Sequence, residues 1–248
     1  MMKDFEEFRS ICKQELELEL SDEQVDMFHV YYDLLIEWNQ KMNLTAITEL
    51  PDVLLKHFYD SVSVFHYTKA SIKMDLVKNG SLKLIDVGTG AGFPGIPLKI
   101  TYPDLKITLL DSLQKRVGFL NTVIDTLHLL DVEAVHGRAE DFGRDPVYRD
   151  QYDICVSRAV ANYSSLSEFC LPFVKKGGYF ISYKSEKAKE EVEAGKHALF
   201  LLKAGLISID EFTLPGTDMQ RCFVVTKKLD ATPKPYPRKA GTPIKKPL

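Results

Sequence analysis

The spacing of apolar residues changes near residue 82 of this 248-residue chain. Before that point they recur every three or four positions, a spacing typical of amphipathic helices. Ser21 is followed three positions later by Gln24, an arrangement that resembles a capping box and predicts a helix start. Pro51 suits the first position of another helix, which the apolar spacing continues to Val62. We therefore predict an all-helical region over the first 70 residues.

Beyond residue 82, short apolar runs of strand length alternate with longer amphipathic segments. We predict buried strands at 82–87, 106–111, 132–136, 152–157 and 178–183. Helix-like segments such as 112–128 and 186–204 lie between most of them, as expected of a parallel sheet covered by helices. Two last runs, 206–214 and 221–229, are separated by only six residues, too few for a helical crossover. These two are predicted to pair antiparallel and complete a sheet of seven strands.

The end of the chain differs in composition. Seven Lys or Arg and one acidic residue lie between 227 and 248, although the whole chain carries a formal charge of −3. Five prolines between 233 and 247 predict a tail that neither packs into a core nor holds regular structure. The predicted division is a helical region (1–75) packed on the core, an α/β domain (76–229) and a basic proline-rich tail (230–248).

Composition excludes several classes of protein. The first ten residues, MMKDFEEFRS, are interrupted by charges, and no later run reaches membrane-spanning length, so neither a signal peptide nor a membrane span is expected. The four cysteines are scattered without a Cys-x-x-Cys pair, which argues against a zinc site or a disulfide framework. We expect a cytoplasmic protein without a bound metal.

The glycine-rich run DVGTGAGFPGIP, residues 86–97, is the main candidate for ligand binding. It contains both G-x-G-x-x-G, a dinucleotide pattern, and D-x-G-x-G-x-G, a pattern of methyl-donor binding. Either ligand needs a strand that ends in a tight glycine turn before a helix N-terminus. Asp111, at the end of the second strand, is placed to accept hydrogen bonds from ribose hydroxyls in both cases. The run alone leaves the ligand open.

Three features favour a methyl donor. Asp86 stands directly before the glycines, where dinucleotide folds keep apolar residues, and its carboxylate would suit a cationic methionine moiety. Pro94 and Pro97 remove amide donors where a pyrophosphate needs them. The antiparallel pair at the end of the predicted sheet also differs from a six-stranded parallel dinucleotide fold.

Six phrases carry a family resemblance: YYDLLIEWNQKMNLTAI (31–47), HFYDS (57–61), DVGTGAGFPGIP (86–97), LLDSLQKRVGFL (109–120), GRAEDF (137–142) and SRAVA (157–161). Together they closely resemble the bacterial small-subunit ribosomal RNA guanine-N7 methyltransferase G family, also called glucose-inhibited division protein B. The resemblance implies a Rossmann-like class I methyltransferase whose seven-stranded, mostly parallel sheet ends in an antiparallel hairpin. It also implies methyl transfer from S-adenosylmethionine to N7 of one guanine in 16S ribosomal RNA.

The resemblance also implies site residues. Gly88 and Phe93 match the family's residues at the methionine end of the cofactor, and Ala139 and Glu140 match the pair beside the adenine. Arg158 matches a cofactor-site arginine that also faces the substrate cleft. The predicted cofactor site therefore comprises Gly88, Phe93, Asp111, Ala139, Glu140 and Arg158.

The reaction that the resemblance implies needs little acid or base chemistry. Guanine N7 has an in-plane lone pair and no proton, so the enzyme mainly aligns the two reactants. Arg158 is a candidate for binding guanine O6, with a structural ion pair as the alternative. Asp60 and His57 lie on a predicted amphipathic helix and are assigned no catalytic role.

The acidic body is unusual for an RNA-binding protein, because phosphate contacts dominate affinity for RNA. A local basic face is expected instead, and its weak candidates are Lys115, Arg116, Arg138, Lys184 and Arg221. The tail is expected either to become ordered on RNA or merely to aid solubility. The predicted partner is 16S ribosomal RNA or the small ribosomal subunit, bound by a monomer. A small-molecule methyltransferase, an NAD-dependent oxidoreductase and a non-catalytic cofactor-binding module stay open as alternatives.

Overall fold

The structure is a computed structural model that describes residues 2–68, 82–158 and 160–248. Its N-terminal elements are α1 (Met2–Leu16), α2 (Asp22–Met42), α3 (Leu50–Val53), a π-helix (Leu54–Tyr59), α4 (Asp60–Val62) and α5 (Val64–Tyr67). The capping box before α2 is present, with Ser21 Oγ accepting from the Gln24 N–H at 3.2 Å. The boundary predicted between residues 75 and 76 lies outside the described residues.

The π-helix departs from the regular α-helix that the apolar spacing predicts between Pro51 and Val62. A π-turn adds one residue to a helical turn and is frequent at functional sites, and apolar periodicity does not distinguish it from an α-helix. In this wide turn the Lys56 carbonyl accepts a hydrogen bond at 3.3 Å from Arg158, 102 positions later.

The strands are β1 (Lys83–Val87), β2 (Lys106–Asp111), β3 (Val132–His136), β4 (Tyr152–Arg158), β5 (Val174–Lys184), β6 (Ala204–Thr213) and β7 (Gln220–Lys228). They form one seven-stranded sheet in the order β3-β2-β1-β4-β5-β7-β6. Strands β1 to β5 are parallel, and β7 is antiparallel to both of its neighbours. The predicted fold class is therefore confirmed. Because β7 lies between β5 and β6, its central residues, 222–226, are buried.

The remaining helices are α6 (Gly95–Thr101), α7 (Gln114–Thr126), α8 (Ala139–Phe142), α9 (Tyr163–Cys170), a 3-10 helix (Leu171–Phe173), α10 (Ala188–Ala194), α11 (Lys196–Leu201) and α12 (Thr242–Lys245). Gly195 divides the helix predicted at 186–204 into α10 and α11. One hydrophobic cluster joins the N-terminal helices to a face of the sheet, and a second cluster includes α9. In the first cluster, the Tyr31 ring lies 5.3 Å from that of Phe58 and 5.5 Å from that of Phe93.

The prediction of an unpacked tail is wrong. Residues 230–248 lie against the body of the protein, and Arg238 donates to both carboxylate oxygens of Glu168, which is fully buried. A buried carboxylate is costly without a cationic partner, and the tail supplies that partner. The tail also contains the short helix α12, in which Pro243 lies in the first turn, where its missing N–H costs no hydrogen bond, and its carbonyl accepts from Ser165 at 2.7 Å.

Among the described residues, no helix is both long and apolar enough to cross a membrane. Within the same parts of the chain, no cluster of three or more His, Cys, Asp or Glu side chains is arranged to hold a metal ion.

Candidate functional site

The glycine loop, residues 88–94, connects β1 to α6 at the carboxyl edge of the sheet. Gly88 and Gly92 have φ values of +72° and +98°, in the left-handed region where other residues are strained. A Cβ atom on Gly88 would lie 2.5 Å from Val160 Cγ2, and one on Gly92 would lie 2.8 Å from the Tyr31 hydroxyl. Both the backbone conformation and the close approach therefore require glycine here.

Asp86 holds the glycine loop from inside the protein. Its Oδ2 accepts hydrogen bonds from Thr89 Oγ1 at 2.6 Å and from the Gly95 N–H at 2.9 Å. Its Oδ1 has no hydrogen-bond partner in the part of the chain that the structure describes. Burial raises the pKa of Asp86 to about 6, although the two hydrogen bonds lower it. Asp86 is fully buried, so it supports the loop rather than making the expected direct contact with a cationic ligand.

Asp111 is the last residue of β2, and its carboxylate holds the backbone of the glycine loop and of the segment that follows β2. Its Oδ2 accepts from the Gly90 N–H and its Oδ1 from the Leu113 N–H, each at 2.9 Å. Arg116 Nη1 lies 3.5 Å from Oδ2. A carboxylate oxygen accepts more than one hydrogen bond, so a ribose contact through Asp111 stays a prediction.

A cavity of about 290 Å³, here called the strand-end pocket, lies at the carboxyl edge of the sheet. It contains three of the predicted cofactor residues, Gly88, Ala139 and Glu140, together with Arg138. Two tail residues, Gly241 and Ile244, also line it. Sequence reasoning missed these two residues, because no motif marks them.

A second cavity of about 530 Å³, here called the cationic cleft, lies between the π-helix and the ends of β4, β5 and β7. The charged residues that line it are Lys56, Asp60, Arg158, Lys184, Glu191 and Arg221. Four cations face two carboxylates, so the lining favours a negatively charged ligand. The structure thus brings Arg158, Lys184 and Arg221 together, whereas Lys115 and Arg116 lie on α7.

Residues at the end of β4 and just after it line the two cavities. Arg158 lines the cationic cleft, and Val160 lines the strand-end pocket only two positions later. Ala159, between them, is outside the described residues. A molecule in each cavity would therefore approach the other across this strand end, as group transfer between two substrates requires.

Arg158 is held on several sides. Its Nη1 donates to Asp60 Oδ2 at 2.8 Å, and its Nη2 lies 3.3 Å from His57 Nδ1. The guanidinium also lies over the Phe93 ring, 5.1 Å from the ring centre. Arg221 Nε approaches the other oxygen of Asp60 at 3.5 Å. The Phe93 ring, predicted to contact the cofactor, is thus covered by Arg158 and by His57, which stacks on it at 4.5 Å.

His57 is neutral in this arrangement. Burial, and to a smaller extent the positive charge of Arg158, lower its pKa to about 3. Arginine only donates hydrogen bonds, so His57 Nδ1 accepts, and Nε2 carries the hydrogen and donates to Thr45 Oγ1 at 2.8 Å. Both ring nitrogens are engaged, which leaves no free nitrogen to remove a proton from a ligand.

Two further features of the site, the ion pair of Lys184 and the burial of Asp60, are not apparent from the sequence alone. Lys184 Nζ donates to Glu191 Oε2 and to the Ala161 carbonyl, each at 2.7 Å, so it is a held ion pair rather than a free surface lysine. Asp60 is only 3% exposed, and sequence reasoning gave it no site role. One feature of the sequence could have indicated a site role for Asp60, because a carboxylate directly after Phe58 and Tyr59 stands at an otherwise apolar position.

A glycine turn after the first strand, a carboxylate ending the second and an antiparallel strand beside the fifth define a Rossmann-like methyltransferase. The sequence model of the family described as rRNA small subunit methyltransferase G, or GidB, matches residues 24–220. The chain belongs to this family.

Relatives of the same description match nearly the whole chain. Ribosomal RNA small subunit methyltransferase G of Lachnoclostridium phytofermentans is 54% identical over 233 residues, which are 94% of this chain and 93% of the relative. The protein of that name from Clostridium novyi is 46% identical over 246 residues, 99% of this chain and 98% of the relative. A crystal structure of the cyclase SpnF has a TM-score of 0.50 at 14% identity, covering 64% of this chain and 79% of that chain, and shows the shared fold alone.

Proposed function

We propose that this protein transfers a methyl group from S-adenosylmethionine to N7 of a guanine in 16S ribosomal RNA. The observation that carries the proposal is that Arg158 of the cationic cleft and Val160 of the strand-end pocket are two positions apart, in a chain of the rRNA small subunit methyltransferase G family. The pocket is the site of the methyl donor, and the cleft is the site of the base. The names of the relatives support RNA of the small ribosomal subunit as the substrate.

The residues of the strand-end pocket suit S-adenosylmethionine. Gly88 leaves room that a Cβ atom would fill, and the Glu140 carboxylate suits hydroxyl or amino donors. When bound, this cofactor supplies an electrophilic methyl group to which the N7 lone pair bonds, so that S-adenosylhomocysteine leaves. Gly88, Ala139 and Glu140 would hold the cofactor, with Phe93, Asp111 and Arg158 adjoining it.

The chemistry of the cationic cleft agrees with N7 as the acceptor. Attack by N7 leaves no proton to remove, so the site needs no general base. Both ring nitrogens of neutral His57 are hydrogen-bonded, and the Asp60 carboxylate forms ion pairs with Arg158 and Arg221. Neither side chain is free to act as a base. Arg158, with five N–H donors, suits guanine O6, the acceptor beside N7 on the base edge.

Contacts with the RNA backbone are assigned to basic residues around the two cavities. These are Lys115, Arg116, Arg138, Lys184 and Arg221, together with the exposed tail lysines Lys239, Lys245 and Lys246. In this proposal, the helical region (1–75) contributes Asp60 and His57 to the cationic cleft, and the methyltransferase domain (76–229) binds the cofactor. The tail (230–248) adds lining residues to the strand-end pocket. The protein acts as a monomer in the cytoplasm, where ribosomal RNA is its substrate.

The proposal is tested by methyl transfer. The protein is incubated with S-adenosylmethionine labelled in the methyl group and with small ribosomal subunits, naked 16S ribosomal RNA or no RNA, and nucleosides are then separated. We expect label in 7-methylguanosine in at least one RNA sample and none without RNA. Label in any other nucleoside, or no transfer to either RNA substrate, would overturn the proposal.

A further inference from the structure

The tail ends at the same edge of the sheet as the strand-end pocket, and it extends past the residues that the family's sequence model matches, 24–220. Its position is fixed by ion pairing. Arg238 Nε and Nη2 donate to Glu168 at 2.9 and 2.6 Å, a bidentate geometry. Because Glu168 is fully buried, this pair is a strong anchor of the segment.

Further anchors flank the part of the tail that reaches the pocket. Arg149 donates to the Thr232 and Tyr236 carbonyls at 2.5 and 3.0 Å. On the other side, Ser165 Oγ donates to the Pro243 carbonyl at 2.7 Å, and Ser164 Oγ to the Leu248 carbonyl at 2.8 Å. Residues 238–244 are thus held at both ends by side chains of the body.

The anchored segment touches two features of the strand-end pocket. The Gly241 N–H donates to Glu140 Oε1 at 2.9 Å, and Gly241 has φ +79°, a conformation that favours glycine. Ile244 also lines the pocket and is 52% exposed, although it is a large apolar residue. An exposed isoleucine in a cavity wall presents apolar surface that a ligand would bury.

We infer that residues 238–244 form the outer wall of the S-adenosylmethionine pocket, in which Ile244 contacts the adenosyl moiety and the Gly241 amide positions the Glu140 carboxylate. This inference rests on the proposed function. Val160, Phe169 and Ile244 give the pocket apolar sides, and adenine is the flat, largely apolar part of the cofactor. The tail is then a binding element rather than a free basic appendage.

The test measures cofactor binding without any RNA. S-adenosylhomocysteine is titrated calorimetrically into the wild-type protein, Ile244→Ala and the matched control Ile207→Ala, whose isoleucine is 50% exposed but does not line the pocket. We expect Ile244→Ala to raise the dissociation constant about tenfold through lost apolar contact. Ile207→Ala should leave it unchanged.

A second pair of variants tests the amide contact. Gly241→Ala and Gly216→Ala both place a side chain at positive φ, +79° and +71°, with no atom within 4 Å of the added Cβ. Only Gly241 donates to Glu140, so Gly241→Ala alone should weaken S-adenosylhomocysteine binding. Thermal unfolding of all four variants checks that each one is folded.

A third measurement uses the intact wild-type chain. Trypsin cleavage after the exposed Lys239 should slow when S-adenosylhomocysteine is added, because a ligand seated against residues 238–244 holds them in place. The wild-type protein could bind S-adenosylhomocysteine while Ile244→Ala and Gly241→Ala bind it equally well and cleavage is unchanged. That result would overturn the assignment of residues 238–244 to the pocket wall and leave the methyltransferase proposal standing. If the wild-type protein does not bind the ligand, both are overturned.

Discussion

Arg158 Nη1 lies 2.8 Å from Asp60 Oδ2, so the end of β4 is paired with a carboxylate of the N-terminal helices 98 positions earlier. Asp60 also receives Arg221 from β7 at 3.5 Å. All three side chains lie mostly inside the protein. One buried carboxylate therefore connects the helical region with two strands of the sheet and sets where the Arg158 guanidinium lies.

Asp60→Asn is expected to impair both activity and stability. The change leaves two arginines without a charged partner, and breaking a buried pair in this way costs about 3 kcal/mol of unfolding free energy. A shifted Arg158 misaligns the base, which we expect to lower kcat/KM about 100-fold. Steady-state kinetics and urea unfolding measure the two effects.

Asp52→Asn is the control for this prediction. Asp52 forms an ion pair with Lys56 at 2.8 Å, but its side chain is 46% exposed. An exposed pair contributes about 0.5 kcal/mol or less, so this variant should behave like the wild-type protein. Equal stability and activity in Asp60→Asn and Asp52→Asn would show that the buried carboxylate does not organise the cleft.

His57 is expected to make the protein less stable in acid. Its folded pKa, about 3, lies below the ordinary value of 6.5, so the unfolded chain binds the proton first as pH falls. Its contribution to stability is complete above pH 6.5 and is lost as pH falls from there toward 3. Between pH 7 and 5 this amounts to about 2 kcal/mol. Urea unfolding of the wild-type protein and of His57→Gln at both pH values isolates this loss, because the wild-type protein should lose about 2 kcal/mol relative to the variant.

Asp86 acts in the opposite direction. Its folded pKa, about 6, is raised above the ordinary value of 3.8, so the folded state takes up the proton before the unfolded chain does. Lowering the pH from 7 to 5 should therefore stabilise the wild-type protein relative to Asp86→Asn by about 1 kcal/mol. The same urea series on Asp86→Asn measures the difference. A difference that is independent of pH would mean that Asp86 is not protonated over this range.

The exposed tail lysines are expected to strengthen binding to RNA phosphates. Lys245→Ala combined with Lys246→Ala, two exposed lysines outside residues 238–244, should reduce the magnitude of the slope of log affinity against log salt by roughly 1.5, since each lost contact with single-stranded RNA removes about 0.7. S-adenosylhomocysteine binding should not change. Lys83→Ala combined with Lys106→Ala, at the amino ends of β1 and β2, is the control and should keep the wild-type slope.

Strand limits, to within two residues except at the start of β5, and the glycine turn could be predicted because they depend on residues close together in sequence. The apolar runs at 106–111 and 132–136 coincide with β2 and β3, and the Ser21 capping box is present as expected. Of the predicted cofactor residues, Gly88, Ala139 and Glu140 line one pocket. The assignment of these residues to the cofactor stays a prediction until binding is measured.

The errors came where residues distant in sequence meet. Five prolines and a basic composition predicted an unpacked tail, but pairing with the buried Glu168, 70 positions earlier, holds Arg238 in place. Asp86 was expected at a ligand, yet it is enclosed beneath the loop that it supports. The composition of a segment does not show which buried charged group elsewhere in the chain needs it as an ion-pair partner, because that depends on how the elements pack.

By itself the sequence determined the succession of elements, the seven-stranded sheet and the glycine turn, since apolar periodicity and glycine conformation act over a few residues. Only the tertiary structure decided that Asp60 pairs with Arg158 and Arg221 and that His57 stays neutral. It also decided that tail residues line the strand-end pocket. The physical reason is that a buried charge needs its partner in space, wherever that partner lies along the chain.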